Sequence, residues 1–182
     1  MAAPRVELLP PGAAADEALV EELARMINVA YAAGEGQLWQ LGDPERTTPA
    51  KTADTVRDGG MLVARLDGRV VGCGRLRPLD ASSADLGLVC AVPDRWGSGV
   101  GREVVRFAEE LMRSRGVAAM QLELLVPRDW VHPQKQRLRE WYERLGYRVV
   151  RTAPFEEFTS SPGAAARLAT PCEFLVFRKE LA

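Results

Sequence analysis

The sequence predicts a mixed α/β (α+β) fold in which a central sheet of about six to seven strands carries helices on both faces. Three observations support this prediction. An unbroken apolar run at Leu88–Val92 is followed by a glycine-rich turn and an amphipathic helix, which is typical of a strand covered on both faces. Two strand-like segments flank Asp67-Gly68, a strong signal for a two-residue hairpin turn. Strand-like and helix-like segments alternate along much of the chain.

Elements of the N-terminal half follow from periodicity and from capping residues. Asp16 is the expected N-cap of a helix whose apolar stripe runs through Tyr31. Thr48-Pro49 begins a second, shorter helix that ends near Gly59. A connection without either periodicity spans residues 32–47 and includes Gly42 and Pro44. The predicted strands are Arg5–Leu9, Met61–Leu66, Arg69–Leu76 and Leu86–Val92.

The C-terminal half is predicted to alternate helices and strands until two closing strands. The helix that starts at Arg102 ends before Gly116, and a later helix over Gln134–Leu145 ends before Gly146, because glycine is the preferred residue just past a helix end. The predicted strands are Ala118–Val126, Tyr147–Thr152 and Cys172–Lys179. A long segment separates the last two, and it includes the Ser/Pro/Gly/Ala-rich stretch Thr159–Ala169.

Composition is typical of a water-soluble globular protein. The 182 residues are 47% hydrophobic and 27% charged, with a net charge of −1, so neither nucleic acid nor a membrane is an expected partner. No apolar run approaches the ~20 residues of a membrane span, and no secretory signal is visible. We therefore expect one domain over residues 1–182 and a cytoplasmic location. The three cysteines match no metal or redox spacing, so buried thiols and no metal site are expected.

The glycine-rich turn is the first candidate site. Glycines at positions 97, 99 and 101 let the main chain approach a ligand closely at a helix N-terminus. Such a terminus carries about half a positive charge, so phosphate is the expected ligand. The spacing does not fit the dinucleotide fingerprint, and it does not fit a Walker loop because Gly101 is followed by Arg102. A plain structural turn is the alternative.

Two motifs resemble those of the GNAT superfamily of N-acetyltransferases. The strand followed by Gly97-x-Gly99-x-Gly101 resembles the acetyl-CoA loop of that superfamily. Downstream, Trp141–Tyr147 resembles its L-Y-x-x-x-G-F/Y signature, in the right order and at a fitting distance. The chain departs from the family at Trp96, where Gln or Arg is usual, and at Lys135, where asparagine is frequent. The resemblance covers most of the chain.

This resemblance implies how acetyl-CoA would be bound. The strand at 118–126 would run parallel to the strand at 86–92, and the two would splay apart. Free main-chain amides on Cys90 and Val92 would then contact the pantetheine arm, while the glycine turn would contact the diphosphate. The implied coenzyme-binding residues are Cys90, Ala91, Val92, Gly97, Ser98, Gly99, Val100, Gly101 and Arg102.

Acyl transfer from a thioester to an amine needs a base, donors for the oxyanion and a proton donor for the departing thiolate. By resemblance, Tyr142 is the proton donor, and free amides near Cys90 would stabilise the oxyanion. Asp85 and Glu123, on the two central strands, are the candidate bases, with Glu123 slightly favoured. His132, the single histidine, is more typical of an exposed or capping residue.

Two connections are candidates for the acceptor-binding region. The resemblance places the first, residues 32–47, over the acceptor, so Glu35 and Trp39 are candidate contacts. In the second, between the closing strands, Glu156 and the adjacent Glu157 would attract a cationic amine. The alternatives are a surface loop with one aromatic side chain fixed to the core, and a solvated acidic turn.

We therefore predict an acetyl-CoA-dependent N-acetyltransferase. It would move an acetyl group to a primary amine of a small molecule by direct transfer in a ternary complex. The alternatives are a protein or peptide N-acetyltransferase, a non-catalytic acyl-CoA-binding sensor, and a nucleotide-binding domain. Acetyl-CoA is the expected cosubstrate, a small-molecule amine is the expected partner, and a homodimer is left open.

Overall fold

The computed structural model describes residues 3–40, 46–159 and 163–181. Within these ranges the strands are β1 (Arg5–Leu8), β2 (Met61–Leu66), β3 (Arg69–Pro78), β4 (Ser83–Ala91), β5 (Ala119–Pro127), β6 (Arg148–Pro154) and β7 (Cys172–Glu180). The α-helices are α1 (Glu17–Glu35), α2 (Pro49–Arg57), α3 (Val100–Ser114) and α4 (Pro133–Arg144). The predicted mixed α/β fold is confirmed, and most predicted elements lie within a few residues of their observed bounds.

The strands form one seven-stranded sheet in the order β1-β2-β3-β4-β5-β7-β6. Strands β4 and β5 are parallel, and the other neighbouring strands are antiparallel. The parallel pair is short, because only Ser83–Asp85 pairs with Ala119–Gln121. Beyond these residues β4 stays paired with β3 and β5 stays paired with β7. We call the opening between Leu86–Ala91 and Leu122–Pro127 the strand gap.

Helices cover both faces of the sheet, and alternate residues of β5 face opposite sides. Met120 and Leu122 join the core that includes apolar residues of α3 and α4. Leu125 instead joins a smaller cluster with Leu38, which follows α1. Because side chains alternate along a strand, Glu123 projects to the same face as Leu125. The strand gap is therefore approached by α4 from one face and by the end of α1 from the other.

Local capping explains why several elements begin where they do. The side chains of Asp16, Thr48 and His132 each accept a main-chain hydrogen bond in the first turn of α1, α2 and α4, at 3.1, 3.2 and 3.2 Å. The predicted caps at Asp16 and Thr48 are confirmed, and His132 is a capping residue that is buried rather than exposed. Asp67 and Gly68 have φ values of 51° and 79°, as a two-residue hairpin turn requires.

The connection predicted over residues 32–47 is partly helical, because α1 continues to Glu35 and a 3-10 helix follows at Gly36–Leu38. Gly42 and Pro44 lie outside the described residues, as do residues 160–162 of the small-residue stretch. None of the helices in the described ranges is both long enough and apolar enough to cross a membrane.

Candidate functional site

The turn before α3 presents several main-chain N–H groups that have no acceptor among the residues that the structure describes. Gly97 and Gly99 have φ values of 79° and 94°, which glycine adopts most readily. The N–H of Glu103 donates to the Gly99 carbonyl at 3.0 Å and starts the hydrogen bonding of the helix. The N–H groups of Gly97, Gly99 and Val100–Arg102 have no acceptor within the described ranges. Several donors at a helix N-terminus make an anion site.

Ser98 does not share this property. Its N–H donates to the Arg95 carbonyl at 3.1 Å, and its hydroxyl donates to the same oxygen at 2.6 Å. Both donors are therefore already used inside the turn, so neither is free for the coenzyme contact that the resemblance implies for Ser98. A Cβ at Gly101 would lie 3.4 Å from the Trp141 ring of α4, so the turn packs close to that helix.

The main-chain amides beside the strand gap differ from the prediction. The N–H of Val92 donates to the Val71 carbonyl at 3.0 Å, so it is not free for a ligand. Hydrogen-bonding directions alternate along an antiparallel strand, so Cys90 also directs its amide to β3 and Ala91 directs its own toward the gap. The indole of Trp96 donates to the Ala91 carbonyl at 3.0 Å. Ala91, rather than Cys90 or Val92, therefore presents main-chain groups to the gap.

Tyr142 lies in an aromatic cluster beneath the strand gap. Its ring centroid is 5.8 Å from that of Phe177 and 6.0 Å from that of Tyr147. The side chain is buried, and no hydrogen bond to its hydroxyl is made within the described ranges. Burial raises the pKa of Tyr142, and Tyr31 and Cys90 raise it further. The hydroxyl is thus protonated at neutral pH and free to donate to a ligand.

Glu123 and Asp85 form a pair of neighbouring carboxylates on β5 and β4. Burial raises the pKa of Glu123 to about 7, and the charge of Asp85 contributes in the same direction. Gln121 opposes this shift by donating to Glu123 Oε1 at 2.6 Å. Glu123 is only partly buried, so its carboxylate retains access to solvent. A group with a pKa near the working pH is suited to accept and release a proton.

Asp85 has a different environment. It is fully buried, and its Oδ2 atom lies 2.9 Å from Arg75 Nη2 and 3.4 Å from Arg77 Nη2. Its Oδ1 atom has no hydrogen-bond partner within the described residues, so a protonated Glu123 is better accommodated beside it than a second charge. The charge of Asp85 raises the pKa of the neighbouring Glu123 carboxylate.

A buried ion pair joins α1 to α4. Glu35 and Lys135 are 8% and 5% exposed, and Lys135 Nζ lies 2.5 Å from Glu35 Oε1. The Trp39 indole donates to the other Glu35 oxygen at 3.2 Å. Burial opposes ionisation, but Lys135 and Arg46 together keep the pKa of Glu35 below its usual value. The predicted acceptor contacts Glu35 and Trp39 are thus brought together, with the Glu35 carboxylate already partnered.

Lys135→Met should destabilise the fold by about 3–5 kcal/mol, because it leaves a buried carboxylate without its cation. Urea unfolding monitored by circular dichroism measures this change. Arg139→Met is the matched control on the same helix, since the Arg139–Glu143 pair is largely exposed and should contribute less than about 1 kcal/mol. Equal losses in the two variants would contradict the importance of burial.

Glu156 lies apart from this group. It lines a surface cavity of about 530 Å³ that also includes Arg128 and Glu173. The adjacent Glu157 is ion-paired with Arg151, which lowers the pKa of Glu157 and leaves it less available to a cationic amine. The structure does not bring Glu156 to Glu35 or Tyr142.

Residues that sequence reasoning missed include Lys135 as a partner of Glu35, and Tyr31. The Arg46 guanidinium lies 4.9 Å from the Tyr31 ring centroid, and burial raises the pKa of Tyr31. Tyr31 falls on the apolar stripe of α1, so its spacing indicated only a core residue. For Lys135, the one signal in the sequence was that lysine stands where the GNAT family frequently has asparagine.

Comparisons with known proteins agree with this geometry. The sequence model of the Acetyltransferase (GNAT) family matches residues 23–147. No curated protein sequence matches the chain. The fold is similar to that of the PaiA N-acetyltransferase from Thermoplasma acidophilum in complex with coenzyme A, with 15% identity, a TM-score of 0.68, and coverage of 98% of this chain and 99% of that one.

Two further structures are similar over nearly their whole length. An aminoglycoside 6'-N-acetyltransferase complexed with coenzyme A has 13% identity and a TM-score of 0.68, covering 91% of this chain and 92% of that one. The ribosomal-protein-S18-alanine N-acetyltransferase from Escherichia coli has 13% identity and a TM-score of 0.66, covering 98% and 94%. At such identities the likeness shows the fold, while the family match covers more than half of the chain. The chain belongs to the GNAT family of acetyltransferases.

Proposed function

We propose that the chain, as one domain over residues 1–182, transfers an acetyl group from acetyl-CoA directly to a primary amine of a small molecule. The observation that carries this proposal is the row of N–H groups at Gly97, Gly99 and Val100–Arg102, for which the described part of the chain offers no acceptor. These groups follow β4 after the short 3-10 helix Pro93–Arg95, and a Cβ at Gly101 would lie 3.4 Å from Trp141, the residue before Tyr142. A diphosphate and a thioester would therefore be held by one continuous segment.

Each chemical requirement of the transfer has a candidate residue. The N–H groups of the turn would bind the diphosphate, and the Ala91 N–H would bind the acyl or pantetheine portion at the strand gap. The Tyr142 hydroxyl would donate a proton to the departing thiolate. Glu123, with a pKa raised to about 7, would accept the proton that the amine must lose before it attacks.

The side of the strand gap near α1 is closed, which supports a small-molecule acceptor rather than a peptide. Trp39 forms a β-bridge with Leu168, and the Gln40 N–H donates to the Arg167 carbonyl at 2.9 Å. The Trp39 ring also packs on Phe155 with centroids 5.9 Å apart. The segment after β6 is thus joined to the end of α1, which narrows the space that an extended peptide would need.

A thiol-release assay with acetyl-CoA tests this proposal. The acceptors should include polyamines, aminoglycosides, amino acids and short peptides, with acetyl-CoA alone as the background. We expect amine-dependent thiol release with at least one small amine and none with peptides. Release only with peptides would favour a protein N-acetyltransferase, and coenzyme binding without release by any amine would favour a sensor.

Gly99→Asp should weaken coenzyme A binding on the order of 100-fold, because it adds a negative charge where the diphosphate would lie and each lost hydrogen bond to a charged group is worth about 1.5–3 kcal/mol. Isothermal titration calorimetry measures this affinity. Gly116→Asp is the matched control at the other end of α3, where φ is 77° and a Cβ also meets no atom within 4 Å. Similar affinities in the two variants would refute the phosphate site.

A further inference from the structure

Two of the three cysteines lie opposite each other beside the strand gap. Cys73 on β3 and Cys90 on β4 are partners in the antiparallel register. Their Sγ atoms are 3.5 Å apart, and both thiols are free. The sequence separation did not predict this pair, because only the β3–β4 register brings the two residues together.

We propose that Cys73 and Cys90 form a reversible intramolecular disulfide on oxidation by peroxide, and that this bond slows acyl transfer. Opposed residues of antiparallel strands have Cα atoms about 4.5–5.5 Å apart, inside the roughly 4.4–6.8 Å range of disulfides. The two sulfurs need to approach by about 1.5 Å to reach the ~2.05 Å bond length. Rotation of the side chains and a small strand movement supply that distance.

The two thiols differ in how accessible they are to peroxide, and this difference determines which of them is oxidised first. Cys73 is buried and Cys90 is partly exposed, so peroxide reaches Cys90 first. The hydrogen bond with Cys90 and burial also raise the pKa of the Cys73 thiol, which disfavours its thiolate. The Cys90 thiol is oxidised to a sulfenic acid while hydrogen peroxide gives one water. The Cys73 sulfur then attacks the sulfenic sulfur, and the S–S bond forms as a second water leaves.

We expect β4 rather than β3 to move when the disulfide forms, because α3 packs closely on β3 on both sides of Cys73. A Cβ at Gly72 would lie 2.5 Å from Val100 Cγ1, and one at Gly74 would lie 2.8 Å from Val104 Cγ1. Strand β4 borders the strand gap and already departs from regular geometry, with a φ of 50° at Leu88.

Ala91 follows Cys90 directly, so a shift of β4 displaces the amide that faces the gap. This link to acyl transfer rests on the proposed function. The disulfide itself does not, because it can be measured without any substrate.

The disulfide is tested by treating the reduced protein with hydrogen peroxide and measuring intact mass and thiol alkylation. We expect a mass loss of about 2 Da, protection of two of the three cysteines from alkylation, and a peptide that joins Cys73 to Cys90. Alkylation is done in denaturant, because Cys73 and Cys172 are buried in the folded protein. Cys172, which packs in a separate cluster, should then be alkylated, and Cys172→Ala should behave like the original protein. Cys73→Ala should show no mass loss of this kind and should instead give a sulfenic acid at Cys90 that dimedone traps.

Two results would overturn the disulfide. One is unchanged mass with all thiols still alkylated after peroxide treatment. The other is a disulfide that includes Cys172 or a second chain.

The effect on transfer is read in the same samples by thiol release from acetyl-CoA after the peroxide is removed. Fully oxidised protein should transfer the acetyl group about tenfold or more slowly than reduced protein, because displacements of about 1 Å at a reacting site can cost up to ~100-fold. In partly oxidised samples the loss of rate should scale with the fraction of protein that holds the disulfide. Dithiothreitol should restore the rate. A complete disulfide with an unchanged rate would overturn the coupling. Absence of transfer before oxidation would count against the proposed function and leave the mass result standing.

Discussion

Tyr142→Phe is expected to lower kcat for acetyl transfer by about 100-fold or more, since positioned proton transfer typically contributes 10²–10⁴-fold. The departing thiolate needs a proton, and the Tyr142 hydroxyl has no hydrogen bond within the described ranges that would compete for it. Burial raises the pKa of this hydroxyl, so it is protonated when the thiolate forms and can stabilise the developing charge by donating a hydrogen bond to it. Stopped-flow measurement of thiol release at saturating substrates gives kcat directly.

Coenzyme A affinity separates this chemical role from a loss of structure. Phenylalanine retains the ring contacts with Phe177 and Tyr147, so binding measured by calorimetry should change by less than about threefold. Tyr147→Phe is the matched control, because the Tyr147 hydroxyl belongs to the same aromatic cluster and has no hydrogen-bond partner among the described residues. An unchanged kcat in Tyr142→Phe, or an equal loss in Tyr147→Phe, would remove Tyr142 from the mechanism.

The framework of the fold could be predicted from the sequence because its signals are local. Asp16 and Thr48 mark helix starts through short-range capping bonds, and Asp67-Gly68 fixes a hairpin through its positive φ values. The glycine turn is equally local, and its positive φ values at 97 and 99 follow from the residue type. The alternation of side chains along a strand likewise places Leu122 and Glu123 on opposite faces of β5.

Contacts between distant segments could not be predicted in the same way. Glu35 and Lys135 are 100 positions apart, and they meet only because β4 and β5 separate and let α1 approach α4. Val92 was predicted to have a free amide because neither the strand register nor the alternation of its hydrogen bonds can be read from residue type. The engaged donors of Ser98 are a similar case, since they depend on how one turn closes on the Arg95 carbonyl.

The structure distinguishes the two candidate bases by the surroundings of their carboxyl groups. Sequence reasoning placed Asp85 and Glu123 on the two central strands and favoured Glu123 only slightly as the base. Asp85 is buried beside two arginine partners, while partial exposure and a raised pKa make Glu123 the group that can exchange protons near neutral pH. The two carboxylates are therefore expected to respond differently to neutralisation.

Glu123→Gln should lower kcat/KM by about 100-fold or more and abolish its rise with pH. In the original protein kcat/KM should increase through about pH 7, because the base must be deprotonated and its pKa lies near that value. Asp85→Asn should move this rise to lower pH, since it removes the negative charge that raises the Glu123 pKa and leaves Arg77, which lowers it. A pH profile that neither variant changes would exclude Glu123 as the base.

The raised pKa of Glu123 also makes the stability of the fold depend on pH. The Glu123 pKa is raised from 4.5 to about 7, so the folded state holds a proton that the unfolded chain releases. Its stabilising contribution is complete below about pH 4.5 and is lost as the pH rises through about 7. Glu123→Gln keeps a neutral side chain at every pH, so its Tm relative to the original protein should be higher at pH 8 than at pH 4.5. A Tm difference that is constant with pH would contradict the raised pKa independently of any activity measurement.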